Sequence, residues 1–137
     1  MIILDTGVLL AAADADDHHH GDAVAFFDGH ASERLVLATT VATETAWLIE
    51  DRLDPATEAA FVASIAAGDF SVEEMTPADW RRSAELIATY ADLGLGLVDA
   101  SVVALAERLG ITTVATLNHR DFRVVRPAHC DAFELVP

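Results

Sequence analysis

Short, strongly apolar runs alternate with longer helix-patterned segments along the sequence. The strand-like runs are IIL, RLVLAT, FSVEEM and TTVAT, with FELV as a candidate for a last strand. Strands that alternate with helices are typical of a parallel sheet whose two faces are covered by helices. We therefore predict an α/β protein, a three-layer α/β/α sandwich around a central parallel sheet.

Capping signals mark where several helices begin and end. Asp54 supplies an N-cap with proline at the first helical position, Thr76 and Asp79 form a capping-box pattern, and Gly110 ends a strongly periodic segment. The stretch DADDHHHGD is predicted to be a loop. Helices are predicted over Thr6–Ala13, AVAFFDGH, TVATETAWLIEDRL, Asp54–Gly68, Thr76–Leu93 and Val98–Leu109.

Length and composition limit the classes of protein that the chain can belong to. A chain of 137 residues is most simply one domain, residues 1–137, and it has no apolar run long enough to span a membrane. A single cysteine, Cys130, excludes an internal disulfide framework and favours a reducing compartment. We expect a cytoplasmic protein.

The charges restrict the chemistry. A net charge of −15 argues against tight, non-specific binding of nucleic acid, because lysine and arginine supply most of that affinity. All eight basic residues are arginines. Phosphate-binding loops that need a lysine and Schiff-base chemistry are therefore excluded.

Three acidic residues lie where apolar residues are expected. Asp5 ends the IIL run, Glu44 shares a helical face with apolar residues one turn away on either side, and Asp99 does the same in its own helix. A lone buried carboxylate costs several kcal/mol, so such groups are normally paired or bound to metal. No lysine is available to pair with them, which makes a metal cation a plausible partner.

These acids are predicted to meet at one edge of the sheet. The carboxyl ends of parallel strands and the first turns of the helices that follow share an edge, where ligands bind. Asp5, Glu44 and Asp99 all belong to this edge, and the segment ATLNHRDF brings Asn118 and Asp121 to it. Ligand sets made only of oxygen suit Mg²⁺ or Mn²⁺ rather than zinc.

Four segments together resemble the PIN-domain family, and in particular the VapC-type toxins of bacterial toxin–antitoxin pairs. They are IILDTGVLLAA, TTVATETAWL, GLVDASVVALAERLG and VATLNHRDFRVVRP. The resemblance covers essentially the whole chain. It implies a Mg²⁺-dependent endoribonuclease, with Mn²⁺ as a substitute, that hydrolyses RNA and is held inactive by a cognate antitoxin.

The resemblance also assigns roles to residues. Asp5, Glu44 and Asp99 match the family's metal-site acids, and Thr6 matches the hydroxyl residue that follows the first of them. The fourth acidic position holds Asn118, which departs from the family pattern, and Asp121 is a substitute for it. The resemblance implies that Asp5 and Asp99 hold the metal, that Glu44 acts on it through water, and that Asn118 or Asp121 completes the site.

Other interpretations of these residues remain. Asp5 alone is most simply the N-cap of the helix that follows it. An aspartic protease needs a second Asp-Thr-Gly in an all-β fold, and a haloacid dehalogenase-type phosphatase needs a second aspartate where Gly7 stands. The three consecutive histidines cannot all face one metal ion. A second hypothesis is a degenerate PIN fold that binds RNA or a protein without cutting, for which Asn118 is the only support.

Two surfaces are predicted to serve partners. Arg120, Arg123 and Arg126 flank the last motif and form a candidate track for RNA phosphates, with Arg81 and Arg82 as a second basic spot. Family members commonly form homodimers. The apolar side chains Phe26, Phe27 and Phe61 are expected to be exposed and are candidates for that interface.

Overall fold

The computed structural model describes residues 1–137 and contains one five-stranded sheet in which every neighbouring pair is parallel. The spatial order of the strands is β3-β2-β1-β4-β5. This arrangement confirms the predicted α/β class, and FELV does contain the last strand. The strands are β1 (Ile2–Leu4), β2 (Leu35–Ala38), β3 (Ser71–Glu73), β4 (Thr113–Ala115) and β5 (Glu134–Val136).

Seven α-helices and one short 3₁₀ turn, Ala91–Leu93, connect the strands. Helices pack on the sheet and on one another, with α6 contacting both β1 and β2. The helices are α1 (Thr6–Ala13), α2 (His20–Gly29), α3 (Thr39–Arg52), α4 (Pro55–Ala67), α5 (Pro77–Thr89), α6 (Leu97–Leu109) and α7 (His119–Val124). None of them is long and apolar enough to cross a membrane.

Three differences from the predicted helices exceed one residue. The α2 helix begins at His20, inside the predicted polar loop, and the His20 Nδ1 atom lies 2.9 Å from the backbone oxygen of Ala11. The predicted helix Thr76–Leu93 ends its α-helical part at Thr89. The α7 helix was not predicted at all. Six residues are too few for a recognisable apolar period, and a side-chain cap from Asn118 starts this helix instead.

The core lies at the centre of the sheet and under α6. Both β1 and β2 are buried along their whole lengths, as expected for strands covered on both faces. Seven consecutive residues of α6, Ala100–Ala106, are also buried. A helix that is buried on all sides is held in place by its neighbours, so Asp99, at its start, is held firmly against the sheet edge.

The prediction for the exposed apolar residues was wrong for Phe26, which is buried in the core against Phe27 and His30. Phe27 and Phe61 are partly buried and pack against the same core. The large exposed aromatic side chains are instead Trp47 and Trp80, with 60% and 47% of their surface exposed. The homodimer stays a prediction, and its interface would have to use other residues than Phe26.

Candidate active site

Asp5 occupies the point where β1 ends and α1 begins. Its side chain is 5% exposed and caps α1, since Oδ1 accepts a hydrogen bond of 2.8 Å from the Thr6 backbone N–H. The other oxygen, Oδ2, accepts one of 2.7 Å from the Thr116 hydroxyl. Asp5 is therefore the N-cap of α1, and its second oxygen is also bound by Thr116. Each carboxylate oxygen has a second acceptor site that the protein does not use.

Glu44 and Asp99 face the same cleft from two different helices. Glu44 lies in the second turn of α3, and Asp99 lies in the first turn of α6. Both line a cleft of about 540 Å³ together with Asp5, Thr6 and Asn118. Several other acids of the protein form ion pairs with arginines, but neither Glu44 nor Asp99 does.

The charges of these acids act on one another. Burial, followed by the charges of Asp5, Asp121 and Glu44, raises the pKa of Asp99 from 3.8 to about 7. Burial also raises the pKa of Asp5, although the hydrogen bonds from Thr116 and Thr6 oppose the change. Burial and the charge of Asp5 raise the pKa of Glu44, and the nearby Thr6 side chain opposes this rise. Such repulsion without a cation is typical of a functional site.

The donor set fits a hard divalent cation. The oxygen donors among the residues that line the cleft belong to carboxylate, hydroxyl and amide groups, which are the ligands of Mg²⁺ and Mn²⁺. The Thr6 hydroxyl is buried beside them and has no hydrogen-bond partner. In the side-chain conformations of this structure, no three carboxylate, imidazole or thiol groups converge on one point closely enough to hold an ion. The case for a metal ion therefore rests on the type of donor atoms in the cleft and on its negative charge.

Asn118 and Asp121 hold one another at the start of α7. The Asn118 Nδ2 donates to Asp121 Oδ2 at 2.8 Å, and Asn118 Oδ1 accepts from the Asp121 backbone N–H at 3.4 Å. Arg120 donates to the other oxygen of Asp121 at 3.1 Å. Asn118 lines the cleft and Asp121 does not, but the charge of Asp121 reaches Asp99. Both of these predicted site residues also serve to start the helix.

Thr116 is a site residue that sequence reasoning did not identify. Its hydroxyl is fully buried, donates to Asp5 and accepts a hydrogen bond of 2.9 Å from the Asn118 backbone N–H. It therefore links the ends of β1 and β4. The sequence alone gives no signal for this, because it depends on strand register: Leu4 pairs with Ala115 in the parallel sheet, which makes the next residues, Asp5 and Thr116, neighbours.

The predicted phosphate tracks are mostly occupied by contacts within the protein. Arg120 pairs with Asp121, Arg82 pairs with Glu107 at 2.8 Å, and Arg126 donates to backbone oxygens of its own segment. An arginine held by a carboxylate is not free to bind phosphate. Of the predicted residues, Arg81 and Arg123 have neither an ion pair nor a side-chain hydrogen bond. Neither lines the cleft, so neither lies where it could bind a phosphate of RNA held there.

The PIN domain family model matches residues 2–126 of the chain. Ribonuclease VapC26 of Mycobacterium tuberculosis is 30% identical over 136 residues, which are 99% of this chain and 100% of the relative.

Two solved structures share the fold. One is the sarcin-ricin loop cleaving toxin VapC20 of Mycobacterium tuberculosis, with a TM-score of 0.77 at 23% identity over 83% of this chain and 87% of that one. The other is VapBC2 of Rickettsia felis bound to promoter DNA, with a TM-score of 0.72 at 14% identity over 98% and 97%. With its predicted acids gathered in one cleft and its whole length matched, the chain belongs to the PIN-domain family and, within it, to the VapC-type toxin ribonucleases.

Proposed function

We propose that this protein hydrolyses RNA phosphodiester bonds with the help of a divalent metal ion and acts as the toxin of a toxin–antitoxin pair. The observation that carries the proposal is that Asp5, Glu44 and Asp99 line one cleft and that none of them forms an ion pair with a basic residue. Magnesium is the proposed ion, with manganese as a substitute. RNA, a cognate antitoxin and a second copy of the chain are the proposed partners, in the cytoplasm.

The side chains divide the work as follows. Asp5, fixed by Thr6 and Thr116, and Asp99, fixed by the buried α6 helix, would hold the ion. When bound, the ion would neutralise charge on the phosphate and lower the pKa of the attacking water. Glu44 is the least buried of the three acids, and we assign to it the orientation of that water. The unpaired Thr6 hydroxyl is available to hydrogen-bond the water or the phosphate.

A second candidate function, a PIN fold that binds RNA or protein without cutting, is supported by one observation. The Asn118 amide stands where the family has an acid, and it is engaged with Asp121 rather than left free for an ion. Loss of one carboxylate removes charge from the site and weakens its affinity for a cation. The two candidates make opposite predictions for cleavage, and similar ones for RNA binding.

A thermal-melt titration with Mg²⁺ and Mn²⁺ tests the metal site without knowledge of the substrate. An ion at 100 times its dissociation constant adds about 2.7 kcal/mol to the free energy of unfolding. We expect a metal-dependent rise in Tm for the unmodified chain and for Asp92→Asn, which removes the same charge from the exposed 3₁₀ turn. We expect none for Asp99→Asn.

A cleavage assay on total bacterial RNA then separates the two candidate functions. Metal-dependent cleavage that Asp99→Asn abolishes, while Asp92→Asn retains it, supports the nuclease. A metal-dependent rise in Tm without any cleavage supports the binding protein. Equal cleavage by the unmodified chain and by Asp5→Asn and Asp99→Asn would contradict the proposed site.

A further inference from the structure

Arg52 is the positively charged side chain of the cleft, and no carboxylate of the protein forms an ion pair with it. It lies at the end of α3 and lines the same cleft as Asp5, Glu44 and Asp99. It forms no ion pair and no side-chain hydrogen bond, although most other arginines of the chain do. The arginines paired with carboxylates are Arg34, Arg82, Arg108 and Arg120.

The α3 helix sets the position of Arg52 relative to the acids. Glu44, Leu48 and Arg52 are spaced four residues apart, so they form one stripe along the helix, and all three line the cleft. Eight residues separate Glu44 from Arg52, which is roughly 12 Å along the helix axis. Arg52 therefore lines the cleft from a position two helical turns beyond Glu44.

An RNA strand in this cleft needs such a cation. The acids repel phosphate, and a metal ion between them would compensate only at the scissile position. Guanidinium groups bind phosphate oxygens with two parallel hydrogen bonds, and the chain has no lysine that could serve instead. Arg52 is the one basic side chain among the residues that line the cleft.

We propose that Arg52 binds a phosphate of the RNA strand next to the scissile bond, and so positions the strand in the cleft. This inference rests on the proposed nuclease function or on its RNA-binding alternative. We assign Arg52 a positioning role, because it starts two helical turns beyond Glu44 at the end of α3. It therefore acts on the affinity for RNA and on KM more than on kcat.

Arg52 also lies in the last turn of α3, where a positive charge stabilises the helix end. That structural role alone predicts a lower Tm for Arg52→Met and no change in the binding of RNA. Methionine keeps the apolar stem of the side chain and removes its charge. Arg81→Met is the matched control, since Arg81 is exposed on α5, forms no ion pair and does not line the cleft.

The first arm of the test measures binding. An end-labelled pool of random-sequence single-stranded RNA is titrated by fluorescence anisotropy at several NaCl concentrations, in an Asp99→Asn background that prevents cleavage. Loss of one phosphate contact reduces the slope of log K against log salt by about 0.7. We expect this reduction for Arg52→Met, a smaller one for Arg52→Lys, and none for Arg81→Met. An unchanged slope in Arg52→Met overturns the inference.

The second arm measures cleavage with Asp99 intact. We expect Arg52→Met to raise KM about tenfold, the effect of about 1.4 kcal/mol of lost binding, and to change kcat less. Cleavage that Asp99→Asn abolishes but Arg52→Met leaves unchanged overturns the inference and leaves the proposed function in place. A reduced salt slope in a chain that cuts no RNA supports Arg52 and the binding-only function.

Discussion

At the scale of residues, the hydrogen bond of 2.7 Å from the Thr116 hydroxyl helps to fix the Asp5 carboxylate in the candidate site. Substitution of Thr116 by valine keeps the shape of the side chain and removes this bond. Loss of a group that orients a metal ligand costs about 10–100-fold in metal affinity or activity. We expect a loss of that size for Thr116→Val, measured as the Mn²⁺ dependence of Tm and of RNA cleavage.

Thr45→Val is the matched control for this substitution. Thr45 is also fully buried, but its hydroxyl has no hydrogen-bond partner, so its removal exposes no unpaired group. We expect unchanged metal affinity and unchanged or slightly higher stability for Thr45→Val. Equal losses in the two variants would mean that Thr116 matters only for packing.

The titration of Asp99 predicts how stability depends on pH in the absence of metal. The pKa of Asp99 is about 7 in the folded protein, against an ordinary value of 3.8, so the folded state binds the proton more tightly than the unfolded state. The free energy of unfolding must then fall as the pH rises through this interval. Asp99→Asn removes the penalty, and we expect it to raise stability by about 1–3 kcal/mol above neutral pH.

Chemical denaturation at a series of pH values, with a chelator present, measures this effect. The curve of Asp99→Asn should be flatter than that of the unmodified chain between pH values of 3.8 and about 7. Parallel curves would show that neither burial nor the neighbouring charges raise the pKa of Asp99 in the folded protein.

At the scale of elements, the short α7 helix connects the candidate site to the fold. Asn118 starts this helix and faces the cleft, so the same side chain is a cap and a candidate ligand. Asparagine and aspartate cap helices about equally well, so Asn118→Asp preserves the cap. The substitution replaces the 2.8 Å hydrogen bond to Asp121 with repulsion between two carboxylates.

We therefore expect Asn118→Asp to be about 1 kcal/mol less stable than the unmodified chain without metal, from the lost hydrogen bond alone. We also expect a larger Mn²⁺-dependent rise in its Tm, because the site gains a charged ligand. Asn118→Ala loses the cap without gaining the charge, so it should be destabilised with and without the ion. A metal response that is the same in all three proteins would place Asn118 outside the site.

At the scale of the whole molecule, the net charge of −15 makes the folded state repel itself. Salt screens charges that are more than about 10 Å apart at 0.1 M, so NaCl should raise the Tm gradually and without saturation. A specific ion in the cleft should saturate. We expect Mg²⁺ to raise the Tm more than NaCl at equal ionic strength, and the difference to vanish in Asp99→Asn.

The same charge gives the protein opposite responses to salt in folding and in binding. Salt favours the folded chain by screening its carboxylates, and it weakens the contact between Arg52 and an RNA phosphate. Conditions for assays therefore need a compromise between stability and affinity.

The sequence by itself determined the class of fold and pointed to the acidic residues of the candidate site. Apolar runs such as those of β1 and β2 form buried strands wherever a sheet is covered on both faces, and the caps at Asp54 and Thr76 are local contacts that need no other part of the chain. Acids on apolar helix faces signal a site because desolvation of an unpaired carboxylate is costly in any fold. These are local effects, and a local pattern is enough to predict them.

Tertiary structure decided which groups of the site are free and which are occupied. Arg82 and Arg120 have partners that are set by the packing of α5 on α6 and by the start of α7, and Phe26 is buried because α2 lies against the core. Thr116 and Arg52 belong to the site only because the strand register and the α3 stripe bring them there. Contacts between distant segments depend on the whole packing, which no short stretch of sequence encodes.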